Sequence, residues 1–168
     1  MPRSASAVTA PFATLTKDLQ RYIGFLRGSS LGPHQYVALL GMDVYDLPAL
    51  LKSVHRGFTY KAFERLIQNI ALSQEQVSRL VDIPQRTLTR RKQEGRFLPD
   101  ESDRLLRAAR VFGATLSLFE GNRDAATAWL ERPQPALGGA VPLELIRTEF
   151  GALEVERLVH RLEHGVFS

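Results

Sequence analysis

Residues 72–96 constrain the fold of this chain more than any other stretch, because they fit two short helices separated by a fixed break. Ser73 and Gln76 have the spacing of a capping box, which marks the start of a helix. Asp82 tolerates a left-handed backbone, and Pro84 disfavours helical geometry at the residue before it while suiting the first turn of a new helix. The pattern therefore predicts two helices joined by a tight turn.

The second of these helices has one apolar position and a strongly basic surface. Leu88 is its only strongly apolar residue, so we expect this side chain to enter the core and turn the opposite face outward. Five basic residues and one acidic residue, Glu94, lie between positions 85 and 96; the basic ones are Arg86, Arg90, Arg91, Lys92 and Arg96. A helix-turn-helix with such a second helix is typical of DNA-binding proteins, and we assign it to residues 73–95.

The position of each residue along the second helix predicts what it contacts on DNA. Gln85 and Arg86 lie at the N-terminal end, which meets base edges in this motif, and are candidate readers of adenine and guanine. Side chains nearer the far end suit backbone phosphates, which position a protein without specifying sequence. The predicted DNA-binding set is Ser73, Gln74, Gln85, Arg86, Thr89, Arg90, Lys92 and Arg96, with the last two as phosphate contacts.

Two other interpretations of this helix remain open. A basic helix is often no more than a solvated surface, so charge alone does not establish DNA binding. Arg91 comes three residues after Leu88, a spacing that places it toward the partly buried side of the helix. There it would hold a carboxylate, such as that of Glu101 or Asp103, instead of DNA.

Composition and charge limit the class of protein. The chain has 168 residues, is 44% hydrophobic and has a formal net charge of +4, which suits a small globular protein with an anionic partner. Cysteine is absent, which excludes disulfides and thiolate metal sites. No apolar run approaches the roughly 20 residues that span a bilayer, and the N-terminus lacks the apolar core of a signal peptide. We therefore expect a cytoplasmic protein without a membrane partner.

Helical periodicity runs through almost the whole chain and predicts an all-α fold with three parts. Residues 1–15 show little periodicity and are expected to form a mobile arm. Residues 16–120 are predicted to form the helical domain that contains the helix-turn-helix. Proline and glycine concentrate at residues 132–142, and residues 121–168 are assigned to a C-terminal module. Four basic and six acidic residues follow position 130, against 18 and 12 before it, so the two parts are expected to face different partners.

The C-terminal module is predicted to contain a pair of short helices. Pro142 suits the first turn of a helix that runs through Leu143 and Ile146 to Phe150, where Gly151 is expected to interrupt it. A second apolar stripe follows at helical spacing and consists of Val155, Leu158, Val159 and Leu162. A pair of this size cannot bury its stripe alone, so the stripe must pack on the body or on another protein.

A series of short motifs follows in fixed order from the second helix to the C-terminus. The motifs are Arg86-Thr87-Leu88, Arg90-Arg91-Lys92, Ala128-Trp129-Leu130, Pro133, Leu137-Gly138-Gly139, Pro142-Leu143-Glu144-Leu145 and Glu163-His164-Gly165. In this ordered series the chain resembles the Xre-type antitoxins of RES-Xre toxin-antitoxin systems, which share a C-terminal toxin-binding domain. The resemblance covers the chain from about Gly57 onward, and it is far more specific than a helix-turn-helix alone.

The resemblance implies a bacterial antitoxin that neutralises a RES-domain toxin and represses its own operon through the helix-turn-helix. It also implies that the toxin has a fold related to ADP-ribosyltransferases and consumes NAD, and that the antitoxin's C-terminal segment obstructs the NAD pocket. The antitoxin itself would not be an enzyme and would need no cofactor. Carried onto this sequence, the toxin contacts are expected among Trp129, Leu137, Pro142, Leu143, Ile146, Leu158, Leu162, Val166 and Phe167.

Helix-turn-helix proteins commonly engage two half-sites about one helical turn apart on operator DNA, which leads us to expect a homodimer. We expect the dimer interface, or seam, to be formed by the first predicted helix, through Leu19, Ile23 and Leu26. A second function also fits these features, namely a stand-alone transcriptional regulator whose C-terminal helices dimerise or sense a small molecule. The two functions differ in partner, because only the antitoxin binds a toxin.

A catalytic or metal-binding function has weaker support. Glu156, His160 and His164 recur every four residues on one helix face, and histidines at this spacing with a carboxylate nearby can bind zinc. However, the HExxH arrangement is absent and no second helix offers a companion ligand, so ordinary surface contacts are the favoured interpretation. His34 and His55 lack the context of a catalytic triad. We predict no catalytic residue and no metal site.

Overall fold

A computed structural model describes residues 15–28 and 30–165 of the chain. Within these residues the structure is all-α, as the sequence predicts, and the only extended pairing is a bridge between Thr59 and Arg96. The α-helices are α1 (Lys17–Arg27), α2 (Leu47–Arg56), α3 (Tyr60–Ile70), α4 (Gln74–Leu80), α5 (Gln85–Glu94), α6 (Pro99–Leu118), α7 (Arg123–Leu130), α8 (Pro142–Leu145) and α9 (Glu149–Glu163). Two 3-10 helices, Gln35–Leu40 and Pro135–Leu137, lie between them.

Two expectations from the sequence concern the N-terminal arm and the membrane. Of the predicted N-terminal arm, residues 1–15, only Leu15 lies within the described residues. None of the helices that the structure describes is both long and apolar enough to cross a bilayer.

Short polar side chains begin several of the helices. Thr16 Oγ1 accepts a hydrogen bond from the Leu19 backbone N–H at 3.1 Å, and the Asp46 carboxylate accepts one from the Ala49 N–H at 2.9 Å. Residues Gln35–Leu40 form a 3-10 helix, which is the form that such short pieces often adopt. It ends at Gly41, which has a left-handed φ of 69°.

Helix α6 lies at the centre of the molecule. Its 20 residues pack against α9, α7, α2 and the first 3-10 helix. Gly113 allows α1 and the first 3-10 helix to approach α6 closely, because a Cβ at this position would lie 2.8 Å from Tyr22 Oη and 3.0 Å from Tyr36 Cβ. Leu105 and Phe112 on the same helix are almost completely buried. The first 3-10 helix and the C-terminal helices α7 and α9 therefore contact the same scaffold.

The C-terminal helices correct one prediction from the sequence. We expected a helix to reach Phe150 and Gly151 to interrupt it, but α8 ends at Leu145, and α9 begins at Glu149 and continues through Gly151. Thr148 Oγ1 caps α9 by accepting a hydrogen bond from the Gly151 N–H at 3.0 Å. A Cβ on residue 151 would lie 2.0 Å from the Leu145 carbonyl oxygen. Glycine is therefore needed for a close approach of the chain, not for a break.

One hydrophobic core includes residues from both predicted modules. Residues of the helix-turn-helix and of the C-terminal helices belong to the same buried cluster, among them Val77, Leu80, Leu88, Ala126, Leu130, Ile146, Ala152, Val155 and Val159. The apolar stripe of α9 is thus covered by the body of the protein, chiefly by α6. The division between residues 120 and 121 remains a prediction, and the core is continuous across it.

Candidate interaction surfaces

Helices α4 and α5 form the predicted helix-turn-helix, and local contacts explain its turn. Ser73 Oγ accepts a hydrogen bond from the Gln76 N–H at 3.1 Å, and Gln76 Oε1 accepts one from the Ser73 N–H at 2.9 Å, which completes the predicted capping box. Asp82 has a φ of 51°, the left-handed conformation that the sequence predicts. Ser78 Oγ donates to the Ile83 carbonyl at 2.5 Å and so ties α4 to the turn.

The outward face of α5 presents the predicted base-reading residues side by side. Leu88 is 1% exposed and fixes the rotation of the helix, as predicted. The exposed residues on α5 include Gln85, Arg86, Thr89, Arg90 and Lys92. Gln74 Nε2 donates to Gln85 Oε1 at 3.1 Å, so the N-terminal ends of α4 and α5 meet at these two side chains. The three cations of this face form no ion pair within residues 15–28 and 30–165, which leaves their charge available to an anionic partner.

Arg91 faces the interior and holds a carboxylate, which is the alternative that the sequence left open for it. Its Nε and Nη2 donate to the two carboxylate oxygens of Glu101 at 2.7 and 2.9 Å, and its Nη1 donates to Glu94 at 2.8 Å. Hydrogen bonds to Glu101 raise the pKa of Arg91. Burial alone would raise the pKa of Glu101, but the hydrogen bonds from Arg91 and the Leu98 N–H outweigh burial and lower it.

Arg96 lies beyond α5, and both its side chain and its main chain make hydrogen-bonded contacts with the backbone of residues 57–59. Its Nη1 donates to the Gly57 carbonyl at 2.8 Å, and its main chain pairs with Thr59. Gly57 has a φ of 85°, and a Cβ there would lie 2.0 Å from the Phe97 carbonyl oxygen, so only glycine fits this crossing. Arg96 is exposed and remains a candidate phosphate contact, at the opposite end of α5 from Gln85.

The residues predicted to contact a toxin fall into three groups. Ile146 and Leu158 are 2% and 4% exposed and Pro142 is also buried, so these three side chains are not available as direct contacts in this conformation. Trp129, Leu137, Leu143 and Leu162 are half-buried. Val166 and Phe167 lie outside the described residues. The buried positions pack on the body of the protein, because an apolar helical stripe indicates such packing as readily as binding to a partner. The toxin contacts themselves stay predictions.

Two exposed apolar side chains on α9 were missed by the sequence analysis. Phe150 is 76% exposed and Leu153 is 40% exposed. The sequence analysis placed Phe150 on the apolar stripe of an earlier helix that ends before Gly151. Because α9 instead begins at Glu149, its buried face is formed by Ala152 and Val155, and Phe150 and Leu153 point to solvent. The spacing of Ala152, Val155 and Val159 was the signal that could have shown this register.

Ion pairs fix α9 on α6 beside the exposed patch formed by Phe150 and Leu153. Glu149 accepts hydrogen bonds from Arg107 Nε at 2.9 Å and from Arg110 Nη2 at 2.7 Å, and Arg110 Nε also donates to Glu156 at 2.6 Å. Burial would raise the pKa of Glu149, but the hydrogen bonds from Arg110 and Arg107 outweigh it and lower the pKa. The first and second turns of α9 are thus held by two arginines of α6.

Polar contacts also join the helix-turn-helix to α6 and directly to the C-terminal part. The Asp82 carbonyl accepts a hydrogen bond from Arg104 Nη1 at 2.6 Å, and the Asp82 carboxylate pairs with Arg147 Nη2 at 3.3 Å. Gln76 Nε2 donates to Glu131 at 3.0 Å. The turn and the first helix of the motif therefore both contact residues outside it.

Two family models match adjacent parts of the chain. The Antitoxin Xre-like helix-turn-helix domain matches residues 49–110, and the Antitoxin Xre/MbcA/ParS C-terminal toxin-binding domain matches residues 114–165. An Antitoxin Xre from Yersinia enterocolitica is 41% identical over 130 residues, which are 77% of this chain and 88% of that relative. The chain belongs to the Xre antitoxin family.

Other relatives extend over more of this Xre antitoxin. An Antitoxin Xre from Photorhabdus laumondii is 33% identical over 154 residues, which cover 91% of this chain and 93% of that protein. A Sphingobium protein named Prs ADP-ribosylating antitoxin is 26% identical over 151 residues, 84% of this chain and 93% of its own length. The resemblance seen in the sequence is confirmed, and the chain combines a helix-turn-helix with a toxin-binding domain.

Proposed function

We propose that this protein binds and neutralises a RES-domain, NAD-consuming toxin by obstructing its active site, and that it represses its own operon as a homodimer. The observation that carries the proposal is the succession of the two family matches, residues 49–110 and 114–165, on one continuous core. The name of the Sphingobium relative supports the NAD chemistry, because ADP-ribosyl groups are taken from NAD. The protein would act by binding and not by catalysis.

The surface of α5 supports operator binding. Gln85, Arg86 and Arg90 are exposed together at the end of the helix that reads base edges in this motif. Ser73 and Gln74 stand beside them at the start of α4, where backbone N–H groups suit a phosphate. Operator binding would place the protein in the cytoplasm, where bacterial DNA lies.

The exposed apolar residues of α9 support a toxin contact around the start of this helix. Burying a side chain as large as Phe150 in a partner contributes about 1.5–3 kcal/mol. At 76%, Phe150 is the most exposed large hydrophobic side chain among the described residues. We propose that Phe150 and Leu153 join the half-buried Trp129, Leu137, Leu143 and Leu162 in the contact with the toxin. Val166 and Phe167 remain proposed contacts beyond the described residues.

The proposed dimer needs a seam other than the one expected from the sequence. Leu19 and Ile23 are 0% and 9% exposed and Leu26 is half-buried, because α1 packs on the first 3-10 helix. Leu47 and Leu51 lie one turn apart on α2 and are 52% and 50% exposed. These two leucines support α2 as the surface through which two copies meet.

Co-expression with a RES-domain toxin tests the proposal. We expect growth to be rescued, cellular NAD to be restored and a stable complex to be recovered, while a reporter under the protein's own promoter is repressed. A variant carrying Arg86→Ala and Arg90→Ala should lose repression and keep the rescue. Repression without any toxin complex would support the stand-alone regulator instead, and absence of both activities would refute the proposal.

A further inference from the structure

The last turn of α9 brings three potential metal ligands together. The ligand atoms of His160, Glu163 and His164 all lie within 4.8 Å of one another, and the two imidazole rings are 4.1 Å apart between centroids. All three residues are exposed, so an ion can reach them from solvent. Two histidines four residues apart on a helix present their ring nitrogens on the same face.

A hydrogen bond fixes the state in which His164 would bind. Its Nδ1 lies 2.9 Å from the carbonyl oxygen of His160. A carbonyl oxygen can only accept, so the proton of the neutral ring is on Nδ1 and the lone pair is on Nε2. Histidines that bind metals commonly donate their other N–H to a carbonyl or carboxylate in this way, which sets the tautomer and the ring orientation.

Glu163 is oriented by a second contact, from another helix. Ser117 Oγ of α6 donates to Glu163 Oε1 at 2.6 Å. The carboxylate that the sequence analysis paired with the histidines, Glu156, is instead held by Arg110 at 2.6 Å. The carboxylate that the fold places with the two histidines is therefore that of Glu163, and not that of Glu156, which shares their spacing of four residues.

We propose that His160, Glu163 and His164 form a binding site for a divalent transition metal ion of the zinc class. Two imidazole nitrogens and one carboxylate oxygen match the ligands that Zn²⁺ accepts, with solvent completing its coordination, whereas Ca²⁺ and Mg²⁺ prefer oxygen ligands throughout. The bound ion cross-links the last turn of α9 and, through Glu163 and Ser117, ties it to α6. The site lies in the segment that matches the toxin-binding domain, beside Leu162, but metal binding here requires neither the DNA nor the toxin partner.

Calorimetric titration of the untagged full chain with Zn²⁺ tests the site, with Co²⁺ as a spectroscopic probe of its coordination. We expect one ion per chain and a visible Co²⁺ spectrum that excess Mg²⁺ leaves unchanged. His160→Ala and His164→Ala should each abolish binding. His55→Ala is the matched control, because it removes an exposed imidazole from α2 and should bind as the parent does.

Two further variants separate a built site from a chance pair of histidines. Glu163→Gln should weaken binding, and Ser117→Ala should weaken it by about 10–100-fold through loss of the orienting bond, with recovery in Ser117→Thr. The proposal is overturned if the parent does not bind, if either histidine variant binds like the parent, if Ser117→Ala is without effect, or if Mg²⁺ displaces the ion. Far-ultraviolet circular dichroism confirms that each variant is folded.

Discussion

Arg91 and Glu101 form a two-point ion pair that is sealed from solvent, with each side chain 6% exposed and the Nε to Oε2 distance at 2.7 Å. The pair joins the middle of α5 to the first turn of α6. One of the five basic residues near α5 therefore serves the fold and not the candidate DNA surface, and it fixes how α5 is presented.

Breaking this pair should destabilise the protein strongly. Arg91→Ala leaves the buried Glu101 carboxylate without its counter-charge, and we expect a loss of about 3–5 kcal/mol in the free energy of unfolding. Glu101→Ala should lose less, because Arg91 keeps its hydrogen bond to Glu94 at 2.8 Å. The double variant Arg91→Met/Glu101→Leu removes both charges and should lose much less. Urea denaturation measures each value, and equal losses in the single and double variants would contradict the pairwise account.

Loss of the outward arginines should weaken DNA binding without affecting folding. Arg86→Ala and Arg90→Ala should each cost about 1–3 kcal/mol in specific operator binding, because a base contact is removed. Lys92→Ala should instead reduce the slope of log K for DNA binding against log salt concentration by about 1, because one phosphate contact is lost. Gel-shift titrations at several salt concentrations measure both effects. Arg161→Ala, which removes the same charge from an exposed site on α9, is the control and should bind operator like the parent.

The exposed patch on α9 should matter for the toxin and not for stability. Phe150→Ser should weaken the toxin complex by about 1.5–3 kcal/mol, which is the gain from burying such a side chain. Its melting temperature should stay close to that of the parent, because Phe150 is 76% exposed. Leu98→Ser is the control, since Leu98 is 48% exposed and lies at the start of α6, before Arg107 and Arg110, which contact α9. An unchanged toxin affinity in Phe150→Ser would exclude this patch from the contact.

Two glycines in helices should respond to alanine in opposite ways. Gly151→Ala places a Cβ 2.0 Å from the Leu145 carbonyl oxygen, and we expect a loss of about 1–3 kcal/mol as α8 and α9 are forced apart. Gly24→Ala on the exposed face of α1 meets no atom within 4 Å and should gain about 0.5–1 kcal/mol. Thermal unfolding of the two variants measures the contrast, and a neutral Gly151→Ala would show that the α8–α9 junction is loose.

Acid should loosen α9 from α6. The folded-state pKa of Glu149 lies below its ordinary value of 4.5, because the hydrogen bonds from Arg110 and Arg107 outweigh the opposing effect of burial. A depressed carboxyl pKa gives stability that is present above the unfolded-state pKa and is lost as the pH falls through the folded-state pKa. Stability should therefore begin to fall near pH 4.5 and continue to fall below it. Glu149→Gln should be less stable at neutral pH and should show a shallower loss between pH 5 and about pH 3, as measured by urea titrations.

Local signals were enough to predict the helix-turn-helix. The Ser73 cap, the Asp82 turn and the single apolar Leu88 each act within a few residues, so their spacing alone specified the structure. The same spacing gave burial of Arg91 as one of two alternatives, and its ion pair with Glu101 in the structure decides between them. The DNA contacts themselves stay predictions, because they depend on a partner and not on the chain.

Long-range packing decided what the sequence analysis missed. An apolar stripe at positions 155 to 162 does not specify what covers it, and the body of the protein covers it here. Gly151 is a common helix breaker, and only the nearby Leu145 carbonyl shows why glycine is required inside α9. The exposure of Phe150 was missed for the same reason, because the sequence analysis placed this residue at the end of an earlier helix.

The position of α6 between the two recognition elements has a consequence for hybrids of this family. One helix lines the core shared by the helix-turn-helix and by α9, and the two family matches meet within it, between residues 110 and 114. A hybrid protein made by joining two relatives near residue 120 would combine α6 from one parent with α9 from the other. The arginines of α6 and the carboxylates of α9 would then come from different proteins, and the packing between the two helices would be mismatched. Natural or engineered exchange of specificity should therefore carry the α6 residues that face α9 along with the segment that follows them.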